Sequence, residues 1–357
     1  MLRKYLQKRR KYVESCQIVL IHIKRGDTLI KKARCVPSRV HILRAMKRRV
    51  RPNHDKYQDF LNELGRKEAG IFGEQSLDYY LKLLPETKHP YFIFHGLRLP
   101  FRDTFFQMDT LILFSNFFLV LEVKFFKGTL YFDPKNYQLL QEVDDNPLKV
   151  YPDPILQASN QCSKLQSWLR TRQLTDVPCE KLAVLTNPKV ITKVLSSPSE
   201  VDRNVVKSPA LSAKVSMLLK RHFSQPLDKK FIKKLIKQLL KDHTPDNSSP
   251  ILQYGVLPSD IIKGVLCPCC SPYKVMKRIY GTWECLYCGG KYEDAHRAAL
   301  VDYALLISPF ITMRELKRFL GIENRVTITR LLKNLNIEFV GGTKSRTYNL
   351  TPLLTKT

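Results

Sequence analysis

Acidic residues are scarce in this chain: 32 Asp and Glu stand against 60 Lys and Arg, a formal charge of +28 over 357 residues. That excess makes a polyanion the leading partner, ahead of an anionic membrane and of a merely basic protein with no such partner. Long apolar runs are missing as well. None reaches the length of a membrane span, and the apolar run within Ser15–Ile23 is short and lacks a convincing cleavage site. A regular cysteine framework is also absent. The nine cysteines are an odd number, and five of them crowd into residues 267–288. That distribution favours a metal site in a reducing cytoplasm over a disulfide scaffold. Hydrophobic residues make up 44% of the chain, enough for real cores, and the length suits two to three domains.

The most informative stretch is Gln107–Phe126, read as QMDTLILF, then SN, then FFLVLEVKFF. Its β-branched, aromatic and aliphatic flanks favour strands. Ser115-Asn116 is the only break and takes a two-residue turn. That register sets Phe114 opposite Phe117 and Asp109 opposite Glu122, and alternation places Lys124 on the face of Glu122. Facing carboxylates destabilise a strand pair. Burying them unpaired among Leu121, Val123 and Phe125 costs several kcal/mol or more. A divalent cation removes both objections, because hard cations such as Mg²⁺ take carboxylate oxygens. Lys124 beside it can orient a water or stabilise charge on a phosphate. On these residues alone, an ordinary outer sheet face with a Glu122–Lys124 surface pair stays open.

Asp109 followed by Glu122-x-Lys124 on a hairpin resembles the PD-(D/E)xK nuclease core. The order Gly70-Ile-Phe-Gly-Glu74, Gln107-Met-Asp109, Glu122-Val-Lys124 and Gly128 resembles the nuclease-related domain, or NERD, family. Its pattern is G-x-x-G-E, a Q-x-D strand, E-V-K, a following Gly and a later Gln. The likeness covers residues 65–190. It implies an α/β fold with a restriction-endonuclease-like mixed sheet flanked by helices, and a metal-dependent nuclease acting on DNA. Asp109 and Glu122 would hold Mg²⁺ or Mn²⁺, Lys124 would position or activate water, and Glu74 and Gln157 would complete the site. In the family the Gln follows an Asn-Pro element. Here Asn146-Pro147 is ten residues before Gln157, and Asp153-Pro154 is closer.

Residues 1–56 hold 18 basic and three acidic residues. Within them Val40–Val50 reads as a short basic helix, either an arm for nucleic acid or part of a solvated leader. Lys24 to Leu29 can be encoded by a purine-rich stretch before a TTG codon. This resembles a bacterial ribosome-binding site, so residues 1–28 are a candidate untranslated segment. Asp55–Leu84 reads as helix carrying Glu74, Tyr91–Leu99 as a strand, Ile155–Thr171 as a helix and Lys181–Thr186 as a buried strand. The first domain is expected over 57–190. A helical basic connector spans 191–250, where Lys229–Lys241 holds six Lys and no acid. It reads as a solvated helix face on a core more readily than as a phosphate contact.

Cys267-Pro-Cys-Cys270 and Cys285-Leu-Tyr-Cys288 are two C-x-x-C knuckles with 14 residues between them. Four thiolates so placed suit a structural Zn²⁺ in a small zinc ribbon over 264–292, with Cys269 a competing thiol. Cys16, Cys35, Cys162 and Cys179 are scattered and read as packed or exposed thiols. Over 295–350, a helix is followed by a second one capped by Thr312 and Glu315, a turn at Gly321, a third helix and a hairpin. This resembles a winged helix-turn-helix. Arg325, Thr327, Thr329, Arg330 and Lys333 lie on its exposed helix, and Lys344 and Arg346 at the wing, as candidates for DNA contact. Two functions remain: a cytoplasmic Mg²⁺-dependent deoxyribonuclease, or a non-catalytic DNA-binding regulator that keeps the nuclease-like fold as a scaffold. A membrane-surface role is a distant third, since the basic segments lack an apolar anchoring face.

Overall fold

The computed structural model describes residues 28–144, 146–174, 176–195, 199–223, 225–270, 274–342 and 346–354. Nearly all of the candidate untranslated segment, and Lys344, lie outside them. The chain begins with β1 (Thr28–Lys32), α1 (Ser38–Arg49), α2 (Tyr57–Leu81), β2 (Tyr91–Phe101), β3 (Thr104–Leu113) and β4 (Phe118–Lys124). Next come β5 (Thr129–Asp133), β6 (Gln138–Glu142), β7 (Lys149–Pro152), α3 (Pro154–Thr171), β8 (Cys179–Leu185), β9 (Ile191–Val194) and β10 (Val205–Lys207). Helices α4 (Leu211–Arg221) and α5 (Lys229–Asp242) follow. The remainder holds β11 (Lys277–Ile279), β12 (Thr282–Glu284), β13 (Lys291–Tyr292), α6 (Ala295–Leu306) and β14 (Phe310–Thr312). It continues with α7 (Met313–Leu320), α8 (Arg325–Asn334), β15 (Phe339–Val340) and β16 (Thr347–Asn349), and a one-turn helix over Thr351–Leu354 follows. Among the described residues no helix is long and apolar enough to cross a membrane.

The chain is mixed α/β and divides into two compact units. One contains the described part of Gln17–Cys35 and Lys67–Pro245. Its six-stranded sheet has the order β1-β2-β3-β4-β8-β10. Strands β2, β3 and β4 run antiparallel in succession, whereas β1 joins β2, and β8 joins β4 and β10, in parallel. Helices cover both faces. Leu165, Trp168 and Leu169 of α3 and Leu235 and Leu239 of α5 pack with Phe118 and Val120 on one side. Leu77 and Leu81 of α2 and Val215 and Leu218 of α4 pack with Leu119 and Leu121 on the other. Burial from both sides explains why β4 reads as an unbroken apolar run. It also explains α5: its lysines face outward while its leucines seat in the core. A second sheet, β7-β6-β5-β9, lies in the same unit.

Alternation slips once in β2 and once in β3. Phe94 and Leu97 of β2, and Met108 and Leu111 of β3, all join the same core. A three-residue step reverses strand alternation, so both strands turn over between these positions. Gly96 adopts φ +57 there, a conformation that glycine adopts without strain. Asp109 lies in the paired slip on β3.

The other unit contains Val36–Arg66 and the described part of Asp246–Thr357. Within the stretch read as an arm or leader, α1 is a packed helix that buries Val40, Leu43, Ala45 and Met46. Arg49, 1% exposed, donates to Asp302 Oδ2 on α6 at 2.9 Å and to the Gly264 carbonyl at 2.7 Å. Arg48 also pairs with Asp302. The same unit contains the three-stranded sheets β11-β12-β13 and β14-β16-β15. Thr312 and Glu315 form the expected capping box on α7, and Gly321 at φ 69 makes the turn after it.

Candidate functional site

The hairpin forms in the register its residues dictate. Phe114 N–H donates to the Phe117 carbonyl at 2.9 Å across the Ser115-Asn116 turn, and the two rings stack at 4.7 Å. The ladder runs from Leu113↔Phe118 to Thr110↔Leu121 and stops there. Asp109 and Glu122 are the next residues beyond that last pair. Instead of a backbone partner, the Val123 N–H finds the Asp109 side chain, donating to Oδ2 at 2.9 Å. The carboxylate thus lies where β3 parts from β4. Glu122 is buried on the α3 side. Lys124 Nζ donates to its Oε1 at 2.6 Å, and Gln161 Nε2 donates to its Oε2 at 2.7 Å.

Glu74 arrives from the opposite side on α2. A Cβ on Gly73 would lie 2.6 Å from Phe125 Cβ and 3.2 Å from Thr186 Oγ1, so only glycine lets α2 approach the end of β4 this closely. Gly70, one turn earlier, has nothing within 4 Å of its would-be Cβ. Gly128 takes φ +73, and a Cβ there would lie 2.0 Å from the Glu142 carbonyl oxygen. Two of the motif glycines are therefore demanded by packing and backbone. The Glu74 carboxylate accepts from Arg34, which also reaches Asp78 Oδ1 at 3.0 Å.

Three carboxylates act electrostatically on one another here, and their ionisation reflects it. Burial, then Glu122 and Glu74, push Asp109 up to about 8. Burial also raises Glu74, against the opposing pull of Arg34. Close by, burial lowers Lys32 to about 8 and His95 to about 3. A crowd of carboxylates that holds a proton near neutral pH fits a hard cation, which takes oxygen donors and supplies the missing charge.

Gln157 and Gln161 occupy one face of α3, four residues apart. The helix starts at the Asp153 cap, whose side chain accepts from Ile155 N–H at 2.7 Å. Gln161, not Gln157, touches Glu122, while the side-chain oxygens of both are buried without a hydrogen-bond partner. The helical repeat from Gln157 was the signal available for Gln161. Arg34 gave no comparable signal, since its partners are 40 to 76 residues away. Cys162 and Cys179, read as scattered thiols, are joined as a disulfide with a Cα–Cα distance of 5.8 Å. Their separation of 17 residues hides the fact that α3 lies against β8.

In the other unit, Cys267, Cys270, Cys285 and Cys288 converge with their sulfurs within 4.8 Å of one another. The Cys267–Cys288 and Cys270–Cys285 separations are 3.8 and 3.9 Å. A tetrahedral ion with bonds of about 2.3 Å to sulfur needs edges of about 3.8 Å, so four thiolates here can hold a metal. Backbone N–H groups of Cys288 and Tyr287 hold the Cys285 thiol down at about 7. Cys269 is exposed and outside the cluster.

Further along, α8 buries Ile328, Leu331 and Leu332 and exposes Arg325, Thr329, Arg330 and Lys333, with Thr327 half-buried. Arg346 is half-buried and lies over the Phe339 ring at 3.8 Å.

Residues 69–186 match the family model of the nuclease-related domain. The match takes in Glu74, Asp109, Glu122, Lys124, Gln157 and Gln161 and ends before the cysteine cluster. No curated protein and no solved structure matches the chain.

Proposed function

We propose that the chain is a metal-dependent nuclease that hydrolyses DNA phosphodiesters. The observation that carries this reading is the convergence of Asp109, Glu122 and Lys124 where β3 parts from β4, inside the nuclease-related segment. Asp109 and Glu122 would hold one or two Mg²⁺ or Mn²⁺. A bound divalent cation supplies Lewis acidity toward a phosphoryl oxygen and makes water a better nucleophile. The chain's own groups do the rest. Gln161 orients Glu122 through its amide N–H. Lys124, held on Glu122, brings a cation to the charge that develops on the phosphate. Glu74 adds a third carboxylate from α2.

In the same reading the unit around the central sheet is a restriction-endonuclease-like domain. The four clustered cysteines hold structural Zn²⁺ in a ribbon built on β11–β13. Helices α6–α8 with β14–β16 form a winged helix that presents Arg325, Thr327, Arg330, Lys333 and Arg346 to DNA. The basic charge of the chain supports a nucleic-acid partner.

The test is cleavage of labelled duplex, single-stranded and branched DNA, with and without Mg²⁺ or Mn²⁺, at matched DNA binding. Lys124→Ala should spare metal binding and slow cleavage on the order of 10²-fold. Glu122→Gln should lose metal and cleavage together. Equal cleavage by wild type and both variants would place the activity elsewhere. Cleavage by none would leave the carboxylate cluster as a scaffold feature of a DNA-binding protein.

A further inference from the structure

The site extends beyond the nuclease-related segment to a residue just past β1. The Arg34 side chain is 11% exposed. Its guanidinium donates to Glu74 and to Asp78 Oδ1, at 3.3 Å from Nε and 3.0 Å from Nη2. Nη2 also lies 3.0 Å from His95 Nδ1 and 3.5 Å from Thr110 Oγ1. One planar group thus ties α2 to β2 and β3 beside Asp109. His95 is itself held, with Nδ1 3.1 Å from Thr110 Oγ1 and its carbonyl accepting from Lys32 Nζ at 2.7 Å. Only arginine has five N–H donors in a rigid plane, able to meet two carboxylates and an imidazole together. It also has no acceptor and stays charged across working pH, so the tie does not titrate away.

We propose that Arg34 is the positioning residue of this site: it fixes the Glu74 carboxylate, keeps it from coordinating metal directly, and moderates metal affinity by its permanent charge. The proposal rests on the metal-site reading given above. Arg34 touches no reacting atom in it and acts through Glu74. The same contact that orients Glu74 withholds one anionic ligand from a cation and adds a repulsive charge nearby.

The test is Mn²⁺ titration followed by electron paramagnetic resonance, with DNA cleavage measured alongside. Removing the charge in Arg34→Met should tighten Mn²⁺ binding about tenfold or more. The same variant should slow cleavage on the order of 10²-fold, through the loss of geometry. Arg34→Lys keeps the charge, so its Mn²⁺ affinity should stay close to wild type. It should still cleave poorly, because an ammonium cannot bridge Glu74, Asp78 and His95 at once. The pair Arg34→Met with Glu74→Gln removes one charge of each sign and should return the affinity toward wild type without restoring cleavage. Replacing a buried ion pair by uncharged groups is commonly tolerated, so the double variant reports even if the single one fails to fold. Unchanged or weaker Mn²⁺ binding by Arg34→Met, with wild type binding Mn²⁺, overturns the proposal and leaves the metal site standing. No Mn²⁺ binding by any form overturns both. The expected affinities without cleavage in wild type would support Arg34's role and sink the nuclease reading alone.

Discussion

Metal binding at the carboxylate cluster should expel a proton near neutral pH. Asp109 is pushed up to about 8 by burial and then by Glu122 and Glu74. Near neutral pH that carboxyl favours its protonated form, and a hard cation has to displace the proton before taking the oxygen. Apparent Mn²⁺ affinity should therefore rise about tenfold per pH unit below about pH 8 and level off above it.

The same shift fixes a sign for the metal-free protein. The native pKa of Asp109 lies above the ordinary 3.8, so the unfolded chain ionises first. The resulting stability is fully present below the unfolded value and is lost as pH rises through the native one. His95 works the other way below its ordinary 6.5, because burial keeps it neutral in the fold. Lys32, lowered to about 8 by burial, works the other way above that value. From about pH 6.5 to about pH 8 neither His95 nor Lys32 titrates, but Cys285, held down at about 7, works the other way there and Glu74, also raised, works with Asp109, so it is the comparison with Asp109→Asn that singles out this carboxyl. Calorimetric Mn²⁺ titration in two buffers of different ionisation enthalpy counts the released proton. Asp109→Asn should abolish the proton release and flatten the decline in apo stability. Proton release near zero, with affinity flat from pH 6.5 to 8, would refute the reasoning.

The two motif glycines on α2 should respond with opposite signs in thermal or denaturant melts. Gly73→Ala drives a methyl against Phe125 and should cost about 1–3 kcal/mol while displacing Glu74, whereas exposed Gly70→Ala should stabilise by about 0.5–1 kcal/mol. Asp302→Ala leaves Arg49 buried without its counter-charge and should cost about 3–5 kcal/mol, read by urea unfolding. For the same reason DNA contact by α8 is better tested by Arg325→Glu and Arg330→Glu than by truncation: each should weaken binding and lower the salt slope by about 1. Cys285→Ser should release metal and open residues 264–292 to protease, measured by metal content and limited proteolysis.

The hairpin was legible because its signals are local. Two aromatics flank a two-residue turn, apolar runs lie on either side, and the register follows by counting. The motif glycines were legible as a pattern, and Gly73 against Phe125 supplies its physical cause. Long-range features were not legible. Arg34 looks in sequence like one more basic residue of a basic leader, and Arg49 looks like part of a solvated arm. Their burial depends on Glu74 and Asp302, which lie 40 and 253 residues away. The slip of alternation at Gly96 and Asp109 also escapes a period-2 reading, since it reverses both strands without shifting their pairing. Gln161 escaped because its neighbour one helical turn earlier satisfied the same pattern.

Three carboxylates, Glu74, Asp109 and Glu122, face two fixed cations, Arg34 and Lys124. Lys32 and half-exposed Asp78, on either side of Arg34, offset one another. Left alone, the inner group carries one negative charge too many, and a proton on Asp109 restores neutrality. Burial first, and then the neighbouring Glu122 and Glu74, push that carboxyl up to about 8. A divalent cation that replaces this proton takes the group to a net charge of +1, the complement of one phosphodiester. Without Arg34 the same exchange would stop at neutral, leaving no net charge to attract the phosphodiester of the proposed substrate. On the proposed reading, the arginine that weakens metal binding would therefore also leave the loaded site positive toward DNA.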